Sequence, residues 1–370
     1  MSAPRLELRL DRIGYNARAL VDRLGLVGIG VCGVTKATLG SPEVARELLA
    51  AGVASLGESR IENVERLRQA GITSEIMLVR SPMVSQVDRV VAGADVSLNS
   101  ELTVLERLAE SARRQRRRHG VVLMVELGDL REGIMPADLP EVVQRVLELP
   151  GIVLRGIGAN LACHNGIVPG EANMAELSDL ATTVESVFGF ELDVVSGGNS
   201  ANLPWALAPG VDIGRVNHLR LGESVLLGRE PVHRTVLEGL HADAVSVVGE
   251  VIESKAKPSG TWGVRGQAAF GHVVDVRPDV AAGNRVIVAL GRQDIDSDGI
   301  VAPAGYAVLG ASSDHLLLSC TGDLPQPGAE LRFGVDYSAL IRAAVSPSVS
   351  RRYLLGAAPD PVAARPGGCS

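Results

Sequence analysis

The chain has 370 residues, of which 46% are hydrophobic and 21% are charged, and its formal net charge is −7. These values are typical of a soluble globular protein with more than one domain, and the acidic balance argues against nucleic acid as the main partner. We find no signal peptide, no apolar run long enough to span a bilayer, and no disulfide or zinc pattern among the four scattered cysteines. We therefore expect a cytoplasmic protein with reduced thiols, no membrane partner and no metal site.

The first predicted elements are a strand and a helix. Leu6, Leu8 and Leu10 alternate with charged residues, which predicts a half-buried strand, and residues 11–24 are predicted to form a helix.

Eight short apolar runs then follow, and amphipathic segments lie between them. This regular alternation predicts a (β/α)8 TIM-like barrel over residues 11–232. An open doubly wound sheet is the alternative, but no GxGxxG motif follows the first run. The eight runs are residues 29–35, 53–57, 75–79, 95–98, 121–127, 152–157, 192–195 and 216–221.

After residue 232 the chain becomes rich in Val, Gly and Pro, and runs at 285–290, 306–309, 315–319 and 329–333 are predicted strands. Residues 1–10 and 233–358 are therefore predicted to form a second, β-rich domain. Residues 359–370 are expected to be a flexible tail.

Barrel enzymes carry their chemistry where the strands end, and Lys36 directly follows the first run. Desolvation there, with Arg131 and Arg220 nearby, would lower the pKa of the lysine and favour imine formation. A lysine that merely reaches solvent is the alternative.

Small and hydroxyl residues follow the seventh and eighth runs. Gly197, Gly198, Asn199 and Ser200 could bring backbone N–H groups close to a phosphate, although an ordinary capped turn would look the same. Together with Lys36 across the barrel, they favour a phosphate-bearing aldehyde as the ligand.

These segments resemble the alanine racemase-like (fold type III) family of pyridoxal 5'-phosphate (PLP) enzymes, and most of all its ornithine racemase branch. The resemblance covers nearly the whole chain and implies a barrel with a β domain, bound PLP, amino-acid racemisation and a homodimer with shared active sites. It is carried by LEL (6–8), VTK (34–36), SLNSE (97–101), GDLREGI (128–134), SGGNS (196–200), LRLGE (219–223), GRQD (291–294), GASSDH (310–315) and DY (336–337).

The resemblance also implies a role for each matching residue. Lys36 resembles the lysine that forms the internal aldimine, Arg131 the arginine that bonds the phenolic oxygen, and Arg220 the arginine that faces the pyridine nitrogen. Asn160 occupies the place of a histidine that stacks on the ring in alanine racemases. The implied phosphate and cofactor contacts are Asn199, Ser200, Gly222, Glu223 and Tyr337.

Arg220 bears on the type of reaction. An arginine can only donate hydrogen bonds, so the ring nitrogen it faces stays unprotonated, which suits a short-lived carbanion and racemisation. Decarboxylases of the superfamily carry Glu-Pro-Gly-Arg at this turn, whereas this chain has LRLGE. A structural salt bridge is the alternative role for Arg220. A PLP-dependent decarboxylase or aldolase, a non-catalytic PLP-binding protein, and a phosphate-binding barrel without PLP are the alternative functions.

The chain departs from the alanine racemase pattern at three places. The loop ATLG (37–40) lacks a phosphate-binding tyrosine, and Met124 stands where many relatives carry a carbamylated lysine. The segment AFGH (269–272) lacks the tyrosine that serves as second acid/base, and His272 is the predicted substitute. Other candidates for that acid/base are His164, Ser313, Asp314 and His315. Candidate partners for a substrate's distal ammonium are Glu58, Glu101, Asp129 and Glu132.

Overall fold

The computed structural model describes residues 3–258, 261–264, 266–267, 270 and 283–356. The chain begins with strand β1 (Arg5–Arg9) and helix α1 (Leu10–Gly25), which confirms the first two predicted elements.

Eight parallel strands then close into a barrel, in which each strand pairs with the next along the chain and the last pairs with the first. The predicted (β/α)8 fold is confirmed, with strand ends shifted by a few residues. The strands are β2 (Gly30–Val34), β3 (Ser55–Glu58), β4 (Ile76–Leu78), β5 (Val96–Asn99), β6 (His119–Met124), β7 (Ile152–Gly158), β8 (Val194–Gly198) and β9 (His218–Leu221).

Helices connect the strands and cover the outside of the barrel, so the strands are buried on both faces and read as apolar runs. Some close approaches require glycine: a Cβ on Gly156 would lie 1.7 Å from the carbonyl oxygen of Val194 on the next strand. The helices are α2 (Pro42–Ala50), α3 (Ile61–Gln69), α4 (Val87–Gly93), α5 (Leu102–Gln115), α6 (Leu139–Leu147), α7 (Glu171–Phe188), α8 (Leu203–Ala206) and α9 (Glu223–Leu227).

A largely antiparallel sheet forms the second part of the molecule, and β1 joins it by pairing with the first strand after the barrel. An arginine–glutamate pair holds β1 there, since Arg5 contacts both carboxylate oxygens of Glu330 at 2.6 Å. The strands are β10 (Val245–Lys257), β11 (Gly283–Val288), β12 (Ile300–Val301), β13 (Tyr306–Ala311), β14 (Leu316–Cys320), β15 (Glu330–Val335) and β16 (Ser350–Leu354).

One helix of this second part, α10 (Tyr337–Val345), returns to the barrel and packs against the short turn Lys36–Thr38. Asp336 caps α10, because its Oδ1 accepts a hydrogen bond from the Ala339 N–H at 2.9 Å. The helix thus brings Tyr337 to the barrel mouth. Within the described ranges, no helix is long and apolar enough to cross a membrane.

Candidate active site

A cavity of about 800 Å³ opens at the C-terminal ends of the barrel strands. Among the described residues, two carboxylates line it, Glu132 and Glu223, against five cationic side chains. This excess of positive charge favours an anionic ligand. The five cations are Lys36, Arg80, Arg131, Arg220 and Arg234.

Lys36 begins a single 3-10 turn directly after β2. Its side chain is exposed to the cavity, yet protein walls surround it. This separation from bulk water is the main reason why its pKa lies below the ordinary value. The field of Cys163 opposes the shift, and those of Arg131 and Arg220 add to it. A lysine in this state loses its proton readily, as imine formation requires.

Glu58, the last residue of β3, holds the backbone next to Lys36. Its buried carboxylate accepts hydrogen bonds from Thr35 Oγ1 at 2.8 Å, from Asn63 Nδ2 at 3.0 Å and from the Ser59 N–H at 3.0 Å. Burial raises the pKa of Glu58. Because its oxygens are already occupied by these donors, Glu58 serves the fold and is poorly placed to receive a ligand.

Arg220 lies on β9 with 5% of its side chain exposed. It donates hydrogen bonds to the Ala159 carbonyl oxygen at 2.9 Å, to Asn160 Oδ1 at 3.3 Å and to Ser196 Oγ. All three acceptors are neutral, and within the described part of the chain no carboxylate forms an ion pair with Arg220. Burial lowers its pKa to about 10, so it remains charged at neutral pH. The described residues thus give no structural salt bridge for it.

Two asparagines connect the loops after β7 and β8. Asn199 caps the turn Ser200–Asn202, and its Nδ2 donates to Asn160 Oδ1 at 3.2 Å and to the Leu161 carbonyl at 3.0 Å. Asn160 Nδ2 is buried and has no hydrogen-bond partner among the residues that the structure describes. A buried donor without a partner is costly, so this atom fits an acceptor on a ligand.

Ser200 and Gly222 bring the loops after β8 and β9 together. Ser200 Oγ lies 3.0 Å from Ser224 Oγ and accepts from the Ser224 N–H at 3.2 Å. A Cβ on Gly222 would lie 3.2 Å from Cβ of Val34, so the backbone here runs close to β2. Such a hydroxyl beside a glycine-bearing loop is the arrangement expected of a phosphate cradle.

Glu223 follows Gly222 and contributes a carboxyl group to the cavity. Burial raises its pKa to about 7, although the field of Arg234 acts in the opposite direction. Its carboxyl accepts no hydrogen bond from any described residue. Sequence analysis named Glu223 as a cofactor contact but did not anticipate that its carboxyl has a raised pKa.

The loop after β6 carries Arg131 and Glu132, which pair with each other and both line the cavity. Asp129, also in this loop, is buried and accepts from the N–H groups of His164 at 3.1 Å and Asn165 at 2.9 Å. Asp129 therefore holds two loops together, whereas Glu132 remains accessible from the cavity.

Tyr337 approaches from α10, and its ring centroid lies 5.9 Å from Lys36 Nζ. Burial raises the pKa of its hydroxyl. Arg234, from the loop after α9, pairs with Asp336 Oδ2 at 3.1 Å and so connects the barrel to the start of α10. Arg234 and the cavity-lining Cys163 had been given no role from the sequence, because neither has a motif or spacing that points to the cavity.

Several candidate residues do not reach this cavity. His164 and Glu101 are exposed, and Ser313, Asp314 and His315 form the exposed turn between β13 and β14; none of these five lines the cavity. Met124, which stands where many relatives carry a carbamylated lysine, is buried in an apolar cluster with Met77 and Val122. This position therefore contributes no charged group to the cavity. His272 lies outside the described residues, and its role stays a prediction.

Comparison with known proteins agrees with this geometry. The family described as alanine racemase, N-terminal domain, matches residues 8–230. The chain is 39% identical to a lysine racemase of Thermotoga maritima over 95% of this chain and 99% of that protein. It is 33% identical to an ornithine racemase of Acetoanaerobium sticklandii, with the same coverage of 95% and 99%. An alanine racemase structure from Streptomyces lavendulae has a TM-score of 0.75 at 22% identity, and covers 96% of this chain and 99% of that one.

Proposed function

Because this chain belongs to the alanine racemase family, we propose that it is a PLP-dependent amino-acid racemase whose substrates are basic amino acids, ornithine or lysine. The observation that carries the proposal is that Lys36 and Arg220 face one cavity, the first with a lowered pKa and the second without a carboxylate partner among the described residues. The names of the lysine and ornithine racemase relatives support a basic substrate.

PLP is the cofactor of this family, and the lining of the cavity fits it. The excess of cations suits a phosphate and a phenolate, and the unpartnered Asn160 Nδ2 suits a ring substituent. We assign Lys36 as the covalent attachment point, Arg131 to the phenolic oxygen and Arg220 to the pyridine nitrogen. The phosphate would be held by Ser200, by the backbone of Gly222 and Glu223, and by Tyr337, and Asn199 would hold the loop that carries Ser200.

The chemistry divides between the cofactor and this chain. Bound PLP withdraws electrons from the amino acid and makes its Cα–H acidic. Lys36 Nζ, with its lowered pKa, removes and returns the Cα proton on one face of the substrate. Arg220 only donates hydrogen bonds, so it gives no proton to the ring nitrogen and favours rapid return of the proton to Cα.

Inversion at Cα needs a second proton carrier on the opposite face, and we propose His272 for it. We expect His272→Phe to stop racemisation while Lys36 still exchanges the Cα hydrogen of one enantiomer with solvent deuterium. NMR of each enantiomer in D2O measures this exchange. Unchanged racemisation by His272→Phe would exclude the role, and His315→Phe, in the exposed turn away from the cavity, is the matched control.

For the distal ammonium of the substrate we propose Glu132. Glu58, Asp129 and Glu101 do not line the cavity, whereas Glu132 does, paired there with Arg131. Arg131 would hold the phenolic oxygen of PLP, and Glu132, which pairs with Arg131, would then lie on the side of the cavity where the amino acid binds.

We expect Glu132→Gln to lower kcat/KM for ornithine relative to alanine about 10- to 100-fold, the value of one charge-assisted hydrogen bond. Because the change also frees Arg131, which affects both substrates, the ratio between them is the informative quantity. Glu101→Gln is the matched control. An unchanged ratio in Glu132→Gln would refute the assignment.

We also propose a homodimer in which the β-rich domain of one subunit (1–10 and 233–358) covers the barrel mouth (11–232) of the other, as the family resemblance implies. Cys32, Cys163 and Cys320 are free thiols, which supports a cytoplasmic location.

The direct test of the function is to incubate the purified protein and PLP with single enantiomers of ornithine, lysine and alanine, and to separate the products by chiral chromatography. We expect the opposite enantiomer to form fastest from the basic substrates. Carbon dioxide release or aldehyde formation without racemisation would overturn the proposal.

A further inference from the structure

Three polar side chains, Ser196, His218 and Arg220, form a chain of contacts inside the barrel. Ser196 lies on β8, and His218 pairs with it in register at the start of β9. Since side chains alternate along a strand, His218 and Arg220 point to the same side of β9. Ser196 Oγ lies 2.8 Å from His218 Nδ1 and also accepts a hydrogen bond from Arg220 Nη1.

The donors and acceptors in this chain of contacts determine the protonation of His218. A serine hydroxyl has one proton to donate, and a guanidinium can only donate. Ser196 Oγ accepts from Arg220, and because no other acceptor for its proton lies among the described residues, we infer that Ser196 donates to an unprotonated His218 Nδ1. The resulting order is Arg220 to Ser196 to His218, with the imidazole neutral and its proton on Nε2.

The surroundings of His218 maintain this neutral form. Its side chain is 8% exposed, and the charged group whose field reaches it is Arg220, on its own strand. On the neighbouring strands, Ser196 faces it from β8, and β2 contributes the buried thiol of Cys32, opposite Arg220. Burial and Arg220 lower the pKa of His218 to about 3, so the imidazole is neutral at physiological pH values.

Neutral hydrogen-bond acceptors hold the Arg220 guanidinium without cancelling the positive charge that it presents to the cavity. A carboxylate in place of Ser196 would hold Arg220 more tightly but would also neutralise it toward the cavity. Ser196 and His218 fix one end of the guanidinium, while the Ala159 carbonyl and Asn160 Oδ1 fix Nη2. This leaves N–H groups of Arg220 free to point toward the cavity.

We propose that His218 is a positioning residue for the reaction: acting through Ser196, it holds the Arg220 guanidinium in the orientation that faces the PLP ring nitrogen. The inference rests on the proposed function, but it concerns contacts that exist before PLP binds.

The test compares variants that keep or remove the acceptor. His218→Asn can present an amide oxygen at the position of Nδ1, whereas His218→Leu cannot. Ser196→Ala removes the link itself. His119→Leu is the matched control, because Ser97 Oγ and His119 Nε2 form a similar buried pair, 2.8 Å apart, away from Arg220.

In the loaded enzyme we expect His218→Leu and Ser196→Ala to lower kcat about 10- to 100-fold, as misplacement of a catalytic group does. The fraction of substrate converted to keto acid should rise and the absorption spectrum of bound PLP should change, because the ring nitrogen gains access to protons. His218→Asn should bring the keto-acid fraction and the absorption spectrum most of the way back to wild type. The double variant Ser196→Ala/His218→Leu should have a kcat no lower than that of either single variant. Loss of stability alone would not alter the ratio of keto acid to racemised product.

In the PLP-free protein, nitrogen NMR should show the neutral His218 ring protonated on Nε2 from pH 5 to pH 9. A proton on Nδ1, or a wild-type keto-acid ratio in His218→Leu, would overturn the proposal. If the protein binds PLP but catalyses another reaction, the NMR and absorption results still hold, so failure of the racemase assignment is distinguishable.

Discussion

Substitution of Arg220 by methionine distinguishes the effect of this residue on the stability of the fold from its effect on the rate of racemisation. Burial lowers the Arg220 pKa from 12.5 to about 10. At 1.36 kcal/mol per pKa unit, the barrel holds this charge at a cost of about 3 kcal/mol. Methionine removes that cost but leaves three acceptors without their donor, at about 1 to 3 kcal/mol each. The two effects oppose each other, so we expect the unfolding free energy of the PLP-free protein to fall by about 0 to 6 kcal/mol.

The same substitution should be severe for function. We expect Arg220→Met to lower racemisation at least about 100-fold, or about 2.7 kcal/mol of transition-state stabilisation. Urea unfolding of the PLP-free protein measures the change in unfolding free energy, and chiral analysis of ornithine turnover measures the change in racemisation rate. Arg155→Met is the control: Arg155 pairs with Asp193 at 2.7 Å and Glu75 at 3.2 Å near the surface, and both quantities should stay near wild type. A stability loss above about 6 kcal/mol in Arg220→Met would mean that the arginine mainly supports the fold, and our estimate of opposing energies would be refuted.

Three further outcomes are expected. Lys36→Ala should abolish both the visible absorption band of bound PLP and turnover; normal absorbance with turnover would exclude its role. Glu223 has a folded-state pKa raised from 4.5 to about 7, so its contribution to stability is present below pH 4.5 and is lost as pH rises through 7. Glu223→Gln should therefore remove about 1–3 kcal/mol of the stability difference between pH 5 and pH 8 in urea unfolding, and identical pH profiles would contradict this. Sedimentation at active concentration should give the mass of a dimer, and a fully active monomer would contradict the shared active site.

The barrel could be predicted because each of its strands is an apolar run followed by an amphipathic segment, and this pattern is local. Lys36 was identified for the same reason, since its place after the first run fixes it at the barrel mouth. The long strand β10 and the helix α10 were missed. Val245–Lys257 mixes buried and exposed residues because only its first half lies in the core. The closeness of Tyr337 to Lys36 depends on packing between residues that are 301 positions apart in the chain.

The acidic residues show where local reasoning stops. Glu58, Asp129 and Glu132 all lie at or after strand ends, so the sequence gives no reason to prefer one of them as the partner of the substrate's distal ammonium. Hydrogen bonds from Asn63, five residues away, and from the backbone of Asn165, 36 residues away, bind Glu58 and Asp129 to the protein. Only the folded chain shows that Glu132, paired with Arg131, lines the cavity and that Glu58 and Asp129 do not.

The distance between Tyr337 and Lys36 depends on two contacts of unequal strength. Asp336 caps α10 through the Ala339 N–H and also pairs with Arg234. The Arg234 side chain is 63% exposed, so this ion pair contributes about 0–1 kcal/mol. An N-cap contributes about 1 kcal/mol and also sets the direction of the first helical turn, where Tyr337 lies. The cap and the packing of α10 against Lys36–Thr38 therefore place Tyr337, and the exposed ion pair adds little to that placement.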